Sequence, residues 1–360
     1  MPPTMLPRPL LLVWLALCLS PAASFAFQMP KMPWDNARVG GGGGSTGNQM
    51  GGLQPGDTVA VVGASGNVGK LVALRLSDTY KVKGIVRDKS GVESFFGDRM
   101  GNGIELFEAD LLEEMAAAPS GGGSPCPEAL RPALADANAI VICTGTTAFP
   151  TKAWSRNEEK EVTSDVLSAL WETKFDVSSA VASLTEAGLN TPQNVDDRAN
   201  RFLYEAWNDA AKSVSQKRAI LLSSIGVQRR TQMPFPILNA CGVLDAKASA
   251  EAALGATSRE KGFAYTVVRP GQLFGGPYDN NYYLGTLFQL DKDAATRDVE
   301  VGLGDELLGD TLRSTLAEVT AQICEGDYAL NTDFAVVNVK GDAPSAEGVQ
   351  ERLRALVTSQ

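Results

Sequence analysis

A glycine-rich turn between a short apolar run and a helical segment most strongly constrains the fold of this chain. The apolar run covers residues 58–62, and Gly63, Gly66 and Gly69 follow in a G-x-x-G-x-x-G pattern before a helical segment at 70–76. The first glycine permits a tight turn, the second lets the backbone approach a pyrophosphate, and the third allows close helix–strand packing. The helix N-terminus supplies amide donors for negative charge. The pattern predicts a pyrophosphate-binding βα unit; the alternative is a tight turn that binds no ligand.

Short β-rich runs and helical stretches alternate after this turn. We predict further strands at 81–86, 104–109, 139–143, 219–223, 263–269 and 334–339, and helices at 111–118, 198–212, 244–261 and 312–325. Strands that alternate with helices are typical of βαβ units. The sequence therefore predicts an α/β protein with a doubly wound parallel sheet, a Rossmann fold, in one domain over residues 56–360.

Two parts of this domain are less regular in sequence. The charged segment 151–190 is interpreted as an insertion or a mobile cover. The glycine-rich segment at about 271–310 contains Tyr278, Tyr282 and Tyr283 and is predicted to form a small C-terminal lobe that faces a substrate.

Ligands of such sheets bind at the carboxyl ends of the strands, so the residues there are candidate contacts. Ala64, Ser65, Asn67 and Val68 complete the glycine-rich turn. The following strand ends carry Arg87, Asp110, Leu111, Thr144, Gly145 and Thr146. An acid after the second strand favours NAD, whereas a cation favours the 2′-phosphate of NADP. Because Arg87 is such a cation, we predict NADP(H) over NAD(H), although Asp88 keeps NAD as the alternative.

A series of motifs resembles one family in order along residues 57–340. They are VVGASGNVGK, GIVRD, EADL, VICTGTTAFP, NTPQNVD, LLSSIGV, GVLDAKASAEAAL and YTVVRPGQL. The chain resembles the atypical short-chain dehydrogenase/reductases, specifically the NmrA-like NAD(P)-binding proteins of chloroplasts and cyanobacteria. The resemblance implies a nucleotide held by the residues above and by the loop after Pro270, with Lys247 beside it.

The catalytic residues of that family are only partly present. Its usual Tyr-x-x-x-Lys pair places a phenol beside an ammonium that lowers the phenol pKa. Lys247 is in place, but Val243 lies four residues earlier, and no such pair occurs in the sequence. We predict Lys247 and Ser224 as catalytic residues. The alternatives are that Lys247 holds only the ribose, that Ser223 and Ser224 cap a strand end, and that Tyr282, Tyr283 or water donates the proton.

The composition excludes several reaction classes. The chain of 360 residues contains no histidine, so it has no imidazole base, no histidine-dependent triad and no histidine-bearing metal site. The five cysteines include no C-x-x-C pair, and we predict no metal. The net charge of −10 argues against nucleic acid as a partner.

The first 55 residues have the composition of targeting segments. Residues 1–26 contain Arg8, an apolar core and small residues up to Ala26, which predicts a signal peptide. Residues 27–55 suit a transit peptide or a flexible linker. The junction ASFAF at 23–27 resembles the bipartite presequences of algae with secondary plastids. We therefore predict the plastid stroma or thylakoid surface, with no stable transmembrane span after processing.

Two functional hypotheses follow. The first is an NADPH-dependent plastid oxidoreductase that acts on a small apolar carbonyl, quinone or pigment-related substrate. The second is a non-catalytic NADP(H)-binding redox sensor or assembly factor with a thylakoid protein as its partner. The missing tyrosine favours the second hypothesis, and the retained lysine, serine and cofactor residues favour the first.

Overall fold

A computed structural model describes residues 52–118, 126–156, 162–275 and 296–358 of the chain. Its main sheet has eight strands in the order β3-β2-β1-β4-β5-β6-β10-β8. All neighbours are parallel except β10 and β8, which run antiparallel. The strands, including a parallel pair β7 and β9 outside this sheet, are β1 Thr58–Val62, β2 Lys81–Val86, β3 Ile104–Glu108, β4 Ala139–Ile142, β5 Arg218–Leu222, β6 Ala264–Pro270, β7 Gln272–Phe274, β8 Asp298–Leu303, β9 Asp310–Leu312 and β10 Thr332–Val339.

The helices lie on both faces of the main sheet. They are α1 Gly69–Leu76, α2 Glu93–Phe96, α3 Leu111–Ala117, α4 Arg131–Leu134, α5 Thr163–Glu172, α6 Val177–Glu186, α7 Ala199–Ala210, α8 Phe235–Leu238, α9 Val243–Lys261, α10 Arg313–Glu325 and α11 Ala346–Thr358. Short 3₁₀ turns cover Gly97–Arg99, Lys152–Trp154 and Asn239–Cys241, and a π-helical turn covers Gln193–Arg198.

Strand β1 shows why this sequence forms a doubly covered sheet. All five of its residues are buried, and alternate side chains enter different cores. Val59 and Val61 belong to a core with α1 and α10, whereas Ala60 and Val62 belong to a core with α4, α7 and α9. A strand buried on both faces must be apolar throughout, which is the pattern of parallel sheets. The predicted Rossmann fold is confirmed.

The segment after residue 150 is more regular than its sequence indicates. Helices α5 and α6 form a helical pair with its own apolar core, which includes Trp154, Leu170 and Leu184. This core continues onto Cys241 and the partly buried Ile237, so the pair packs against the region before α9. The expectation that this segment is irregular is therefore wrong for residues 162–190, whereas its role as an insertion or a cover stays a prediction.

The C-terminal part also differs from the expectation. Strand β8 extends the main sheet as its antiparallel edge, so this part of the predicted lobe at 271–310 belongs to the main sheet. The tyrosines at 278, 282 and 283 lie outside the described residues. Helix α11 was not predicted; it packs Val349, Leu353 and Leu356 into the core beside α10. Within the described ranges, every helix is too short or too polar to span a bilayer.

Candidate active site

The glycine-rich turn follows β1 and depends on glycine at two positions. Gly63 has a φ of +77°, which L side chains rarely adopt, and its N–H donates to the Ile85 carbonyl at 3.0 Å. A Cβ at Gly69 would lie 2.1 Å from the Gly63 carbonyl oxygen. No atom fits at that distance, so glycine alone allows α1 to start directly against the end of β1.

The N-terminus of α1 is open to an anion. Its N-cap residue Val68 makes no side-chain capping bond, and the first turn has no acidic residue. The amide groups and the helix dipole at such an end favour negative charge. This arrangement suits the pyrophosphate of a dinucleotide.

A cleft of about 190 Å³ runs across the carboxyl ends of four neighbouring strands, β3, β2, β1 and β4. Nine residues predicted from the sequence line it: Gly63, Ser65, Gly66, Arg87, Asp110, Leu111, Thr144, Gly145 and Thr146. The predicted residues Ala64, Asn67, Val68, Gly69, Lys247, Pro270 and Ser224 lie outside this lining. Among them, Ala64 and Gly69 are buried in the packing of the turn.

Three cleft residues from the segment 151–190 were not predicted. Arg156 forms an ion pair with Asp110 at 2.9 Å and reaches Glu113 at 3.3 Å. Asn190 donates to the Ser155 carbonyl at 2.6 Å and thereby holds the chain next to Arg156. Ala153 completes this wall. The NTPQNVD motif contains Asn190, but the motif alone does not show that its asparagine faces the cleft.

Asp110 serves two purposes at once. Its carboxylate accepts the N–H groups of Leu112 at 2.9 Å and Glu113 at 3.3 Å, so it is the N-cap of α3. It also pairs with Arg156, which neutralises a carboxylate inside an otherwise anion-binding cleft. The predicted position at the end of β3 is thus occupied by an acid that is already hydrogen-bonded.

The loop after β4 has a polar group without a partner. Thr144 donates to the Asn200 side chain at 3.2 Å, and the Thr146 N–H donates to Asp196 at 3.2 Å. The Thr146 hydroxyl is buried and has no hydrogen-bond partner among the described residues. Because buried polar groups are normally hydrogen-bonded, this hydroxyl marks a place where a ligand fits. The loop therefore fits the ribose or phosphate of a dinucleotide.

Lys247 is held next to this loop. Its ammonium lies 2.7 Å from the Asp196 carboxylate, which is fully buried. Burial raises the pKa of the Asp196 carboxyl, and the nearby Lys247 ammonium opposes that rise. A Cβ at Gly145 would lie 3.5 Å from the Lys247 nitrogen, so the lysine borders the cleft from behind the loop.

The serine position of the family is engaged in a different contact. The buried Ser223 donates to Glu251, which also accepts a two-pronged hydrogen bond from Arg269. Ser224 donates to the Ile225 carbonyl at 3.0 Å. Pro270 ends β6 and pairs in register with Val336 of β10. In the structure, Ser224 and Pro270 take part in these local contacts, and their roles toward substrate and cofactor stay predictions.

The described residues contain no cluster of three or more histidine, cysteine, aspartate or glutamate side chains suited to a metal ion. Cys143 lines the cleft at the end of β4. Burial raises the pKa of its thiol, which keeps it protonated and unreactive. The chemistry of this cleft is therefore that of hydrogen-bond donors and two cations, Arg87 and Arg156.

Comparisons with known proteins give one matching family and several similar structures. A family model described as NAD(P)H-binding matches residues 63–323. The chain is similar to the oxidoreductase ylbE from Lactococcus lactis, with a TM-score of 0.51 and 18% identity over 84% of this chain and 97% of that chain. A short-chain dehydrogenase/reductase from Veillonella parvula DSM 2008 in complex with NADP gives a TM-score of 0.41 and 14% identity over 80% of this chain and 99% of that chain. The anaerobillin reductase ChuY from Escherichia coli O157:H7 gives a TM-score of 0.43 and 15% identity over 78% of this chain and 96% of that chain.

A search of curated protein sequences found no significant match. The cleft and sheet define a dinucleotide-binding Rossmann protein. The chain belongs to the NAD(P)H-binding family, which confirms the NAD(P)-binding part of the resemblance predicted from the sequence. The likeness to ylbE shows a shared fold and leaves the substrate open.

The turn geometry predicts the effect of one methyl group. Replacing Gly69 by Ala should displace α1 from the Gly63 carbonyl, abolish nucleotide binding and cost about 1–3 kcal/mol of stability. The matched control is Gly91→Ala, because a Cβ there meets no atom within 4 Å. Nucleotide titration and thermal unfolding of both variants measure the difference. Nucleotide binding by the Gly69→Ala variant at wild-type affinity would contradict this role of the turn.

Proposed function

We propose that this protein is an NADPH-dependent plastid oxidoreductase that reduces a small, largely apolar carbonyl, quinone or pigment-related compound. The observation that carries the proposal is the cleft itself, where four strand ends, the N-terminus of α1 and a Thr146 hydroxyl with no partner in the described part of the chain meet. The cofactor supplies the hydride, so the protein has to orient it, exclude water and provide a proton.

Two neighbouring residues support NADPH over NADH. The exposed Arg87 lines the cleft at the end of β2, where the 2′-phosphate of NADP would lie. The next residue, Asp88, accepts hydrogen bonds from the backbone and hydroxyl of Ser90, at 2.8 and 2.7 Å. These hydrogen bonds lower the pKa of Asp88 and hold its carboxylate in a local turn outside the cleft lining. Asp88 therefore does not line the cleft, as an acid that binds the ribose hydroxyls of NAD would.

The nucleotide preference can be tested at Arg87. The Arg87→Ala variant should bind NADPH about 10–100-fold more weakly, because a charged hydrogen bond contributes about 1.5–3 kcal/mol. Its affinity for NADH should change less than about 3-fold. Lys89→Ala is the matched control, a nearby cation outside the cleft lining, and should leave both affinities unchanged. Equal losses for the two nucleotides at Arg87 would refute the NADPH assignment.

The surroundings of Lys247 support an apolar substrate and a proton role for the lysine. Val243 occupies the position of the family tyrosine and belongs to a buried apolar cluster with Val227, Phe235 and Leu244. Lys247 lies one turn further along α9, with its nitrogen 3.5 Å from where a Cβ of Gly145 would be. We propose that its ammonium donates the proton, or holds the ribose while water donates it.

Turnover separates the enzyme from the non-catalytic alternative. The purified full chain should oxidise NADPH with at least one member of a panel of quinones and aldehydes, followed by NADPH absorbance. Lys247→Met should then lower kcat at saturating NADPH by about 100-fold or more if the ammonium is the acid. An effect on the KM for NADPH alone would assign it to the ribose.

The alternative, a redox sensor or assembly factor that binds a thylakoid protein, is favoured by one observation. Ser223 is hydrogen-bonded to Glu251 and the tyrosine position is Val243, so two groups of the usual catalytic set are missing from the cleft. NADPH binding without turnover across the whole panel would favour this alternative over the reductase.

The plastid location rests on the sequence of residues 1–55, most of which lie outside the described residues. We expect residues 1–55 fused to a fluorescent protein to enter the plastid of a diatom. Residues 1–26 alone should enter the secretory route only, because they lack the transit-like part. Phe27→Ala should divert the longer fusion from the plastid, whereas Gln28→Ala should not. Secretion of the unaltered longer fusion would refute this location.

A further inference from the structure

Strand β8 forms an open edge of the main sheet. It pairs with β10 on one side, and no strand of the described part of the chain lies on its other side. Just beyond its end, the Gly304 N–H donates to the Asp333 carbonyl at 3.0 Å. Such bonds alternate along an antiparallel strand, so the N–H and C=O groups of Val301 and Leu303 point away from β10. Among the described residues, none forms a hydrogen bond with these outward groups.

An apolar groove runs along this edge. It has a volume of about 520 Å³ and is lined by β8, by Leu307, and by Ala355 and Leu356 of α11. The side chains of Val301 and Leu303 pack against the core that includes Leu356. A strand added to β8 would lie in this groove, where its backbone meets the outward groups and its side chains cover the apolar lining.

The sequence of β8 does not protect this edge against pairing. Sheet edges in soluble proteins usually carry a lysine, a proline or a bulge that prevents another chain from adding to them. Strand β8 reads DVEVGL, contains neither lysine nor proline, and pairs with β10 residue by residue without a bulge. At its start, the Asp298 carboxylate accepts the Val299 N–H at 2.9 Å and pairs with Arg352 at 2.7 Å. The unprotected part of the edge is therefore residues 300–303, with Glu300 as its one charge.

We propose that β8 pairs with β8 of a second copy of this chain, in antiparallel orientation and with Val301 on the two-fold axis. A two-fold axis brings the same surface of both copies together, so the surface must be its own complement. In this arrangement, Val301 lies opposite Val301 of the second copy, and Leu303 lies opposite Val299. The outward backbone groups of these residues then meet, and the two eight-stranded sheets join into one.

Charge selects this register among the alternatives. An axis at Glu300 would place two carboxylates opposite each other, and an axis at Val299 would place Asp298 opposite Glu300. Like charges directly opposite each other on neighbouring strands are destabilising. An axis at Gly302 would leave half of β8 unpaired. An axis at Val301 pairs most of the strand and places Glu300 opposite Gly302 of the second copy, so the charge in the unprotected part of the edge meets no like charge.

The interface is remote from the nucleotide cleft. The cleft crosses the ends of β3, β2, β1 and β4, whereas β8 lies at the opposite edge of the sheet. Both clefts of the dimer therefore stay open, and the proposed association does not depend on the proposed function.

A cysteine on the proposed axis tests the register. In the full chain, Val301→Cys would place two thiols opposite each other, with Cα atoms about 5.5 Å apart, which is within the range of a disulfide. Mild oxidation with copper phenanthroline should link this variant into dimers on a non-reducing gel. The matched control is Leu303→Cys, which would lie opposite Val299 of the second copy and should cross-link no more than the wild type.

The charge at position 302 tests the same register without an added cysteine. The Gly302→Glu variant would bring a like charge opposite Glu300 of the second copy, and the Gly302→Lys variant would bring an opposite charge. A Cβ at position 302 would lie 3.1 Å from the Leu307 side chain in both variants, so their difference reports the charge. Because the two-fold axis forms each contact twice, the dimer dissociation constant of Gly302→Glu should exceed that of Gly302→Lys at least about 10-fold. Sedimentation equilibrium over a concentration series measures both constants.

Each outcome supports or overturns the proposal. The wild-type chain should sediment as a dimer that dissociates on dilution, and a monomer at every concentration would overturn the proposal and leave the groove to a different protein. A dimer whose Val301→Cys variant cross-links no better than Leu303→Cys would show an interface elsewhere, such as the apolar residues 1–26. Equal dissociation constants for the two variants at position 302 would likewise refute the register. If those two variants do not fold, the comparison of Val301→Cys with Leu303→Cys decides alone.

Discussion

The close approach of Gly69 to the Gly63 carbonyl is the contact on which the site depends. A Cβ on residue 69 would lie 2.1 Å from the Gly63 carbonyl oxygen, so any residue other than glycine would push α1 away from β1. Helix α1 also carries Arg75, which pairs with Glu318 of α10 at 2.6 Å, and both helices pack into one core. The position of the anion-binding helix end is therefore set by the same packing that holds one face of the sheet.

The parallel part of the fold was predictable because its physical cause is local. A strand buried on both faces must be apolar along its whole length. The spacing of the three glycines in the turn is typical of a dinucleotide-binding βα unit. Strand β8 and helix α11 were harder to predict. Only Val299 of β8 is buried, and α11 buries a few residues among many charges. Such half-exposed elements lack a distinctive pattern, and their position is decided by tertiary contacts.

The residues of the candidate site also fall into those that the sequence could predict and those that it could not. Residues at strand ends could be predicted because the topology alone brings them together. Arg156 and Asp196 could not, since their partners Asp110 and Lys247 are 46 and 51 residues distant in sequence. Ser223 occupies the position that the family pattern predicts, but its contact differs from the prediction. Its hydroxyl donates to Glu251, which also accepts a hydrogen bond from the buried Arg269. A guanidinium that is 3% exposed requires carboxylate partners, and this requirement engages the group that would otherwise serve the substrate.

Charge pairing also explains how an acidic protein accommodates an anionic cofactor. The net charge of −10 gives an overall field that repels phosphates. Two carboxylates at the cleft add little to that repulsion locally, because Asp110 pairs with Arg156 and Asp196 pairs with Lys247. The first pair lines the cleft at its β3 end, the second lies behind the loop at its β4 end, and the N-terminus of α1 follows β1 between them. Since the field of a pair falls off faster than that of a single charge, these two pairs change little of the favourable potential that the amide donors of α1 offer to a pyrophosphate. Asp110 and Asp196 can therefore order the cleft walls without weakening cofactor binding.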